Sequence, residues 1–151
     1  MLAKTTRPNT AAVYPRPRLF RLLDRRGPVV WVYGPAGSGK TALVASYLAR
    51  RRLTGLWYQL DENDDDVAAF FYYLGQGARR TARGGRQSLT LLKPEYWPTL
   101  DAFSRRYFRQ LYGRLRPPFA VVLDNHHEVS ERSVCTRCCV TPLRSCPAGP
   151  S

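Results

Sequence analysis

The sequence predicts an α/β fold in which a mostly parallel sheet, flanked by helices, is incomplete at its C-terminal end. Three apolar runs at 29–33, 55–60 and 119–124 have the character of strands, and segments with helical spacing of apolar residues separate them. Such alternation is typical of parallel sheets, because each helix returns the chain to the end of the sheet where the next strand begins. The length of 151 residues fits one domain.

The first 26 residues are expected to form an N-terminal segment that leads into this domain. A short helix is predicted near its end, before the Gly27-Pro28 pair, which breaks helices. Its apolar face comprises Leu19, Phe20, Leu22 and Leu23.

The first predicted strand, 29–33, runs directly into a phosphate-binding sequence with the spacing G-x-x-x-x-G-K-T, the Walker A motif. Its glycines let the backbone wrap closely around a phosphate with the N–H groups pointing inward. A helix predicted over 40–52 would place the positive end of its dipole under that phosphate. Lys40 can reach the β- and γ-phosphates, and the Thr41 hydroxyl can bind Mg²⁺.

The motif therefore predicts a P-loop nucleoside triphosphatase fold that binds ATP or ADP together with Mg²⁺. The predicted nucleotide-binding residues are Gly34, Pro35, Ala36, Gly37, Ser38, Gly39, Lys40, Thr41 and Ala42.

The second predicted strand, 55–60, ends in an acidic run at 61–66. One of the aspartates at 64–66 is expected to cap a helix over 67–74, and the run as a whole is expected to be solvated rather than to bind a metal. The Gly- and Arg-rich stretch 75–87 is predicted to be a loop.

An amphipathic helix is predicted over 99–115. Arg105, Arg106 and Arg109 fall largely away from its apolar side. Aromatic residues among arginines can stack on nucleic-acid bases, but at helical spacing a packed face opposite a solvated face is the preferred interpretation. The apolar side comprises Leu100, Phe103, Tyr107 and Leu111.

The third predicted strand, 119–124, is apolar up to its last residue, Asp124. This is a Walker B pattern, in which a carboxylate at the end of a strand beside the phosphate loop helps to hold Mg²⁺. We therefore predict a Mg²⁺ site formed by Thr41 and Asp124, and we assign Asp124 a catalytic role as well.

Four segments in this order resemble the ATPase module of the MalT-type regulators of the LuxR family, which are signal-transducing P-loop ATPases of the AAA-like group. The resemblance covers residues 16–128. It implies an ATP- or ADP-dependent switch in a large bacterial transcriptional regulator whose DNA-binding domain is absent from this chain. A cytoplasmic location is expected separately, because the sequence has neither a membrane-spanning run nor a signal-peptide pattern. The segments are Arg16-Pro17-Arg18-Leu19, the Walker A motif, Trp57-Tyr58-Gln59-Leu60-Asp61-Glu62 and Val121-Val122-Leu123-Asp124.

The residue after the Walker B aspartate departs from this family pattern. Family members commonly carry a second acidic residue there to polarise the attacking water, whereas this chain has Asn125, whose amide cannot act as a general base. Glu128 is the catalytic candidate that could replace it, and His126 or His127 could also do so, although all three fit an ordinary polar loop. The sequence thus predicts nucleotide binding more firmly than hydrolysis, with weak ATPase activity at most.

The last residues, 132–151, are expected to be a disordered tail that follows a partial P-loop domain at 27–131. The four cysteines of the chain lie here, but Cys138 and Cys139 are adjacent and cannot easily share a tetrahedral zinc ion. Back-translation of 135–147 with GC-rich codons and a one-base shift gives an amphipathic helix. We interpret the tail as a translated frameshift near Val134 and the chain as a truncated fragment.

The net charge of +13 leaves alternative functions open. A basic nucleic-acid-binding protein is one alternative, although the arginines are scattered rather than gathered on one recognition element. A stand-alone P-loop enzyme such as a small-molecule kinase is another. No apolar run approaches the roughly 20 residues that cross a bilayer, so no membrane partner is expected. Self-association remains open.

Overall fold

The computed structural model describes residues 3–10, 14–25, 29–61, 64, 66–81 and 89–125. Within these ranges the chain forms a mixed α/β structure with a two-stranded parallel sheet. The helices are α1 (Pro17–Asp24), α2 (Lys40–Arg50), α3 (Val67–Thr81) and α4 (Leu100–Tyr112); the strands are β1 (Thr54–Gln59) and β2 (Phe119–Asp124); and short 3-10 helices span Ala3–Thr5 and Pro94–Thr99.

The sheet separates two apolar clusters, because successive side chains of a strand point to opposite faces. On one face, Leu56 and Tyr58 of β1 pack with α3 and α4. On the other face, Trp57 packs with Ala45 and Leu48 of α2. The alternate residues of β2 divide between the clusters in the same way, so the strands lie between α2 and the α3–α4 layer.

The larger cluster is built around the ring of Phe71. Its centroid lies 4.7 Å from that of Tyr107, 5.0 Å from that of Phe103 and 5.3 Å from that of Phe70. The Tyr107 hydroxyl donates a hydrogen bond of 2.6 Å to the Phe71 carbonyl, and burial raises the pKa of Tyr107 well above its ordinary value. These contacts join α3 to α4.

Helix α3 is longer than predicted, and the prediction of a loop from residue 75 is wrong as far as Thr81. Gly75 and Gly77 lie inside the helix, at positions that neighbouring side chains approach closely. A Cβ atom on Gly75 would lie 3.1 Å from the Tyr107 hydroxyl, and one on Gly77 would lie 2.9 Å from Cδ1 of Leu56. The two glycines therefore allow close packing on the helix and do not mark its end.

The acidic run has two different roles. Asp66 caps α3 as predicted, since its carboxylate accepts hydrogen bonds from the N–H groups of Ala68 (3.0 Å) and Ala69 (3.4 Å). Asp64, in contrast, is fully buried, so the expectation of a solvated run is wrong at this position. The bounds of β2 agree with the prediction, and those of α2, β1 and α4 differ from it by at most three residues at an end.

The run 29–33 is not a strand in the structure, and its prediction as a buried strand is also wrong. Val30 is 42% exposed, Trp31 46% and Tyr33 85%. A strand requires a neighbouring strand for its backbone hydrogen bonds, whereas β1 and β2 pair with each other and the described residues contain no third strand. Apolar composition alone did not reveal this lack of a partner.

Helix α1 of the N-terminal segment is fixed to α2. The Phe20 ring lies 5.7 Å from that of Tyr47, and the Asp24 carboxylate accepts hydrogen bonds from Tyr47 Oη (3.0 Å) and Arg51 Nε (2.9 Å). The hydrogen bonds from the Arg51 guanidinium hold the pKa of Asp24 below its ordinary value. The predicted helix is present, but Leu22 on its apolar face is 47% exposed.

Several predictions lie outside the described residues: the Gly27-Pro28 break, Glu128 with both histidines, the four cysteines and the tail 132–151. In the part of the chain that the structure describes, no helix is both long and apolar enough to span a membrane.

The packing around Phe71 predicts a large loss of stability on truncation of this side chain. Phe71→Ala should lower the free energy of unfolding by about 3–5 kcal/mol, because it leaves a cavity among buried rings. The neighbouring Tyr72 is 45% exposed, so Tyr72→Ala should cost less than about 1 kcal/mol. Urea denaturation of both variants measures the difference, and equal losses would contradict this view of the core.

Candidate nucleotide-binding site

The Walker A segment forms a loop whose backbone conformation favours glycine at two positions. Gly37 has a φ of 73° and Gly39 a φ of 80°, both in the left-handed region. Helix α2 begins immediately afterwards, with Gly39 at its N-cap, no side-chain cap and no acidic residue in its first turn. The N–H groups that begin a helix lack intrahelical partners, so this end is suited to bind an anion.

The Lys40 ammonium lies across the loop. Its Nζ donates hydrogen bonds to the carbonyl oxygens of Gly34 (2.8 Å) and Pro35 (3.0 Å). The positive charge is thereby kept beside the N-terminus of α2, where the dipole of that helix also favours negative charge. The Lys40 charge and the helix dipole therefore both attract an anion.

Asp124 lies beside the loop, although it is 83 residues from Thr41. The Thr41 hydroxyl donates a hydrogen bond of 3.0 Å to Oδ1 of Asp124. The alternation of side chains along β2 explains why Asp124 reaches Thr41. Ala120 and Val122 pack on the face of the sheet that α2 covers, and Asp124, two residues after Val122, points to the same face. Its carboxylate is therefore directed to the side of the sheet where α2 begins.

The residues of this site fit a phosphate chain and a magnesium ion. The buried Ser38 hydroxyl has no hydrogen-bond partner in the described part of the chain. A Cβ atom on Gly34 would lie 2.8 Å from that hydroxyl, so a larger residue there would require the Ser38 side chain to shift. The hydroxyl of Thr41 and the carboxylate of Asp124 supply the hard oxygen ligands that Mg²⁺ prefers.

Arg16 also contacts the loop, which the sequence interpretation did not include in the site. It lies at the start of α1, and its Nη1 donates a hydrogen bond of 3.1 Å to the Ser38 carbonyl. The Asp24–Arg51 pair anchors α1 on α2 and thus holds Arg16 in place. The Arg16-Pro17 pair was visible in the sequence, but no spacing rule links it to a loop 22 residues away.

A cavity of about 680 Å³ lies next to the loop. This volume is within the usual range of small-molecule sites. Apolar side chains of α1 and of the 29–33 run line most of it, and Ser38 and Lys40 border it at the loop. The cavity therefore has an apolar part, lined by α1 and 29–33, and a polar part beside the phosphate loop, where Lys40 supplies a positive charge.

The structure thus brings the predicted binding residues, Gly34 to Ala42, to one place with Asp124. The residue after the Walker B aspartate is Asn125 and not a carboxylate. It has a φ of 58°, and its N–H donates a hydrogen bond of 3.1 Å to Asp124 Oδ1. The second catalytic candidate, Glu128, lies outside the described residues.

Together, a glycine-built phosphate loop at a helix N-terminus and a strand-end aspartate at its threonine define a P-loop nucleotide-binding protein. A family model described as AAA ATPase domain matches residues 17–139. The match covers most of the sequence, and the chain belongs to the AAA ATPase domain family. No curated protein and no solved structure gives a match.

The Thr41–Asp124 contact predicts how nucleotide binding depends on magnesium. Thr41→Val removes the hydroxyl at nearly constant volume and should lower the affinity for Mg·ATP by about tenfold, through the loss of one metal ligand or charge-assisted hydrogen bond. Its affinity for ATP in EDTA should change little. Thr41→Ser keeps the hydroxyl and serves as the control. Isothermal titration calorimetry with and without Mg²⁺ tests this, and an equal loss in both buffers would contradict a magnesium role.

Proposed function

We propose that this chain is the ATP- and ADP-binding switch module of a bacterial signal-transducing transcriptional regulator of the MalT type. The observation that carries the nucleotide part is the contact of Thr41 with Asp124 beside the Lys40 loop. The regulator part rests on the resemblance of the Arg16-Pro17 and Trp57 segments to that family. The family match supports nucleotide binding and leaves the wider protein open.

The residues of the loop would bind the phosphates by exchanging partners. Lys40 would turn from the carbonyls of Gly34 and Pro35 to the β- and γ-phosphates, while the N–H groups at the start of α2 donate to phosphate oxygens. Magnesium, when bound, neutralises charge on those phosphates. Thr41 and Asp124 are the residues that would hold it.

The cavity next to the loop supplies a place for the nucleoside. Its apolar lining from α1 and 29–33 suits a purine ring, and Arg16 lies between this lining and the loop. Trp31 and Tyr33 stack on each other with centroids 6.3 Å apart. A base in this cavity would therefore lie close to aromatic side chains.

Slow turnover is part of the proposal. Asn125 cannot accept a proton, so the position after Asp124 offers no general base. Glu128 is the residue that we propose to activate water if hydrolysis takes place. A module that binds ATP and hydrolyses it slowly stays long in one nucleotide state, as a switch requires, and any contact with DNA would belong to other domains of the regulator.

The test is a titration of the purified chain with ATP and ADP. Lys40→Ala should weaken binding by about 10- to 100-fold, because it removes charge-assisted hydrogen bonds to phosphate. Lys93 is exposed and outside the site, so Lys93→Ala is the matched control and should bind as the unmodified chain does. A folded sample that binds neither nucleotide would overturn the proposal.

A phosphate-release assay on the same samples separates a switch from an efficient enzyme. We expect turnover far below about 1 per second, which is the lower end of typical enzyme rates. Rapid phosphoryl transfer to a small metabolite would instead indicate a kinase. Binding of nucleic acid that falls steeply with salt and survives Lys40→Ala would favour the basic-protein alternative.

A further inference from the structure

A second charged site lies at the N-terminal segment, apart from the phosphate loop. The Lys4 ammonium is 2.9 Å from Oδ2 of Asp61 and 2.9 Å from Oδ2 of Asp64. It also lies over two aromatic rings, 5.5 Å from the centroid of Tyr58 and 5.8 Å from that of Tyr73. We call Tyr58, Asp61, Asp64 and Tyr73 the ammonium cage.

The buried carboxylate of the cage requires a cation. The side chain of Asp64 is only 1% exposed. Its Oδ1 accepts a hydrogen bond of 2.7 Å from the Tyr58 hydroxyl, and its Oδ2 accepts one of 2.8 Å from the Asp61 N–H. These two donors are neutral, and an opposite charge stabilises a buried carboxylate. Lys4 provides that charge from a peripheral segment.

The segment that carries Lys4 packs on α3 through the next residue, Thr5. Thr5 packs against Gly77 of α3, where a Cβ atom would lie 3.2 Å from its methyl carbon, and Arg80 donates a hydrogen bond of 3.2 Å to the Thr5 hydroxyl. Burial lowers the pKa of Lys4, but the hydrogen bonds to Asp61 and Asp64 outweigh it and raise that pKa above its ordinary value. The ammonium is thus the charged centre of this attachment.

We propose that the ammonium cage is a binding site for primary alkylammonium groups, which the chain fills with its own Lys4. Two aromatic faces and two carboxylates form the recognition pattern for an organic cation. The two contacts of 2.9 Å require N–H donors, so the cage selects a primary ammonium over a quaternary one. When Lys4 leaves, the site accepts the ammonium of a free amine or of a lysine side chain in another molecule.

Chemical rescue tests this site. Lys4→Ala removes the cation from a buried carboxylate and should lower the melting temperature by about 5 °C, whereas Lys93→Ala, an exposed lysine elsewhere, should not change it. Propylammonium chloride contains the atoms that Lys4→Ala removes. It should restore the melting temperature of that variant with a half-maximal effect in the millimolar range, as expected for so small a ligand.

Three controls define the chemistry of the rescue. Tetramethylammonium chloride and sodium chloride at equal ionic strength should restore little. The double variant Lys4→Ala, Asp61→Asn should lose most of the response, because one of the two carboxylates is gone; Asp61 is 48% exposed, so this change is tolerated by the fold. Propylammonium and a lysine-containing peptide, compared on Lys4→Ala, distinguish a free amine from a lysine in a chain.

The proposal is overturned if Lys4→Ala melts like Lys93→Ala, or if all three salts restore stability equally. Should Lys4→Ala fold poorly without amine, the refolding yield as a function of propylammonium concentration replaces the melting temperature. A yield that propylammonium does not raise above the sodium chloride control would also overturn it.

Discussion

The parallel pairing of β1 with β2, in the register that sets Gln59 opposite Asp124, is the constraint on which the site depends. The chain reaches β1 directly from α2, so the strand and the helix that follows the phosphate loop are joined by a short connection at 51–53. Once β2 is aligned on β1, the alternation of side chains directs Asp124 to the α2 side. A slip of one residue would turn this carboxylate to the opposite face and separate it from Thr41.

The same pairing divides the chemistry of the molecule between two faces. Asp124 meets the loop on the α2 side, whereas Tyr58 belongs to the aromatic cluster on the other side and donates to the buried Asp64. The pairing extends past the last strand residues, since the Leu60 N–H donates 2.9 Å to the Asp124 carbonyl. Asp61 follows immediately, so the nucleotide site and the ammonium cage arise from one end of the same two strands.

The sequence predicted those parts of the structure that depend on residues close together in the chain. The phosphate loop, the start of α2, a cap among the aspartates at 64–66 and the end of β2 at Asp124 all depend on residue types at fixed offsets, and the sequence predicted each of them. The extent of α3 and the absence of a strand at 29–33 depend on partners distant in the chain. In the sequence Gly75 indicates a loop, and only the structure shows that Tyr107 packs against it. In the same way, the partners of Lys4 become visible only when β1 and α3 are placed.

The contacts of the loop are consistent with the proposed nucleotide binding. Lys40 donates its hydrogen bonds to two neutral carbonyls, and Thr41 donates to the side chain of Asp124. Phosphate oxygens are better acceptors for the ammonium than peptide carbonyls, because both partners are then ionised. A divalent cation likewise offers Asp124 more than a hydroxyl does, and the freed Thr41 oxygen can join it as a ligand. In the proposed complex, each replacement would exchange a weaker partner for a stronger one at positions that α2 and β2 fix.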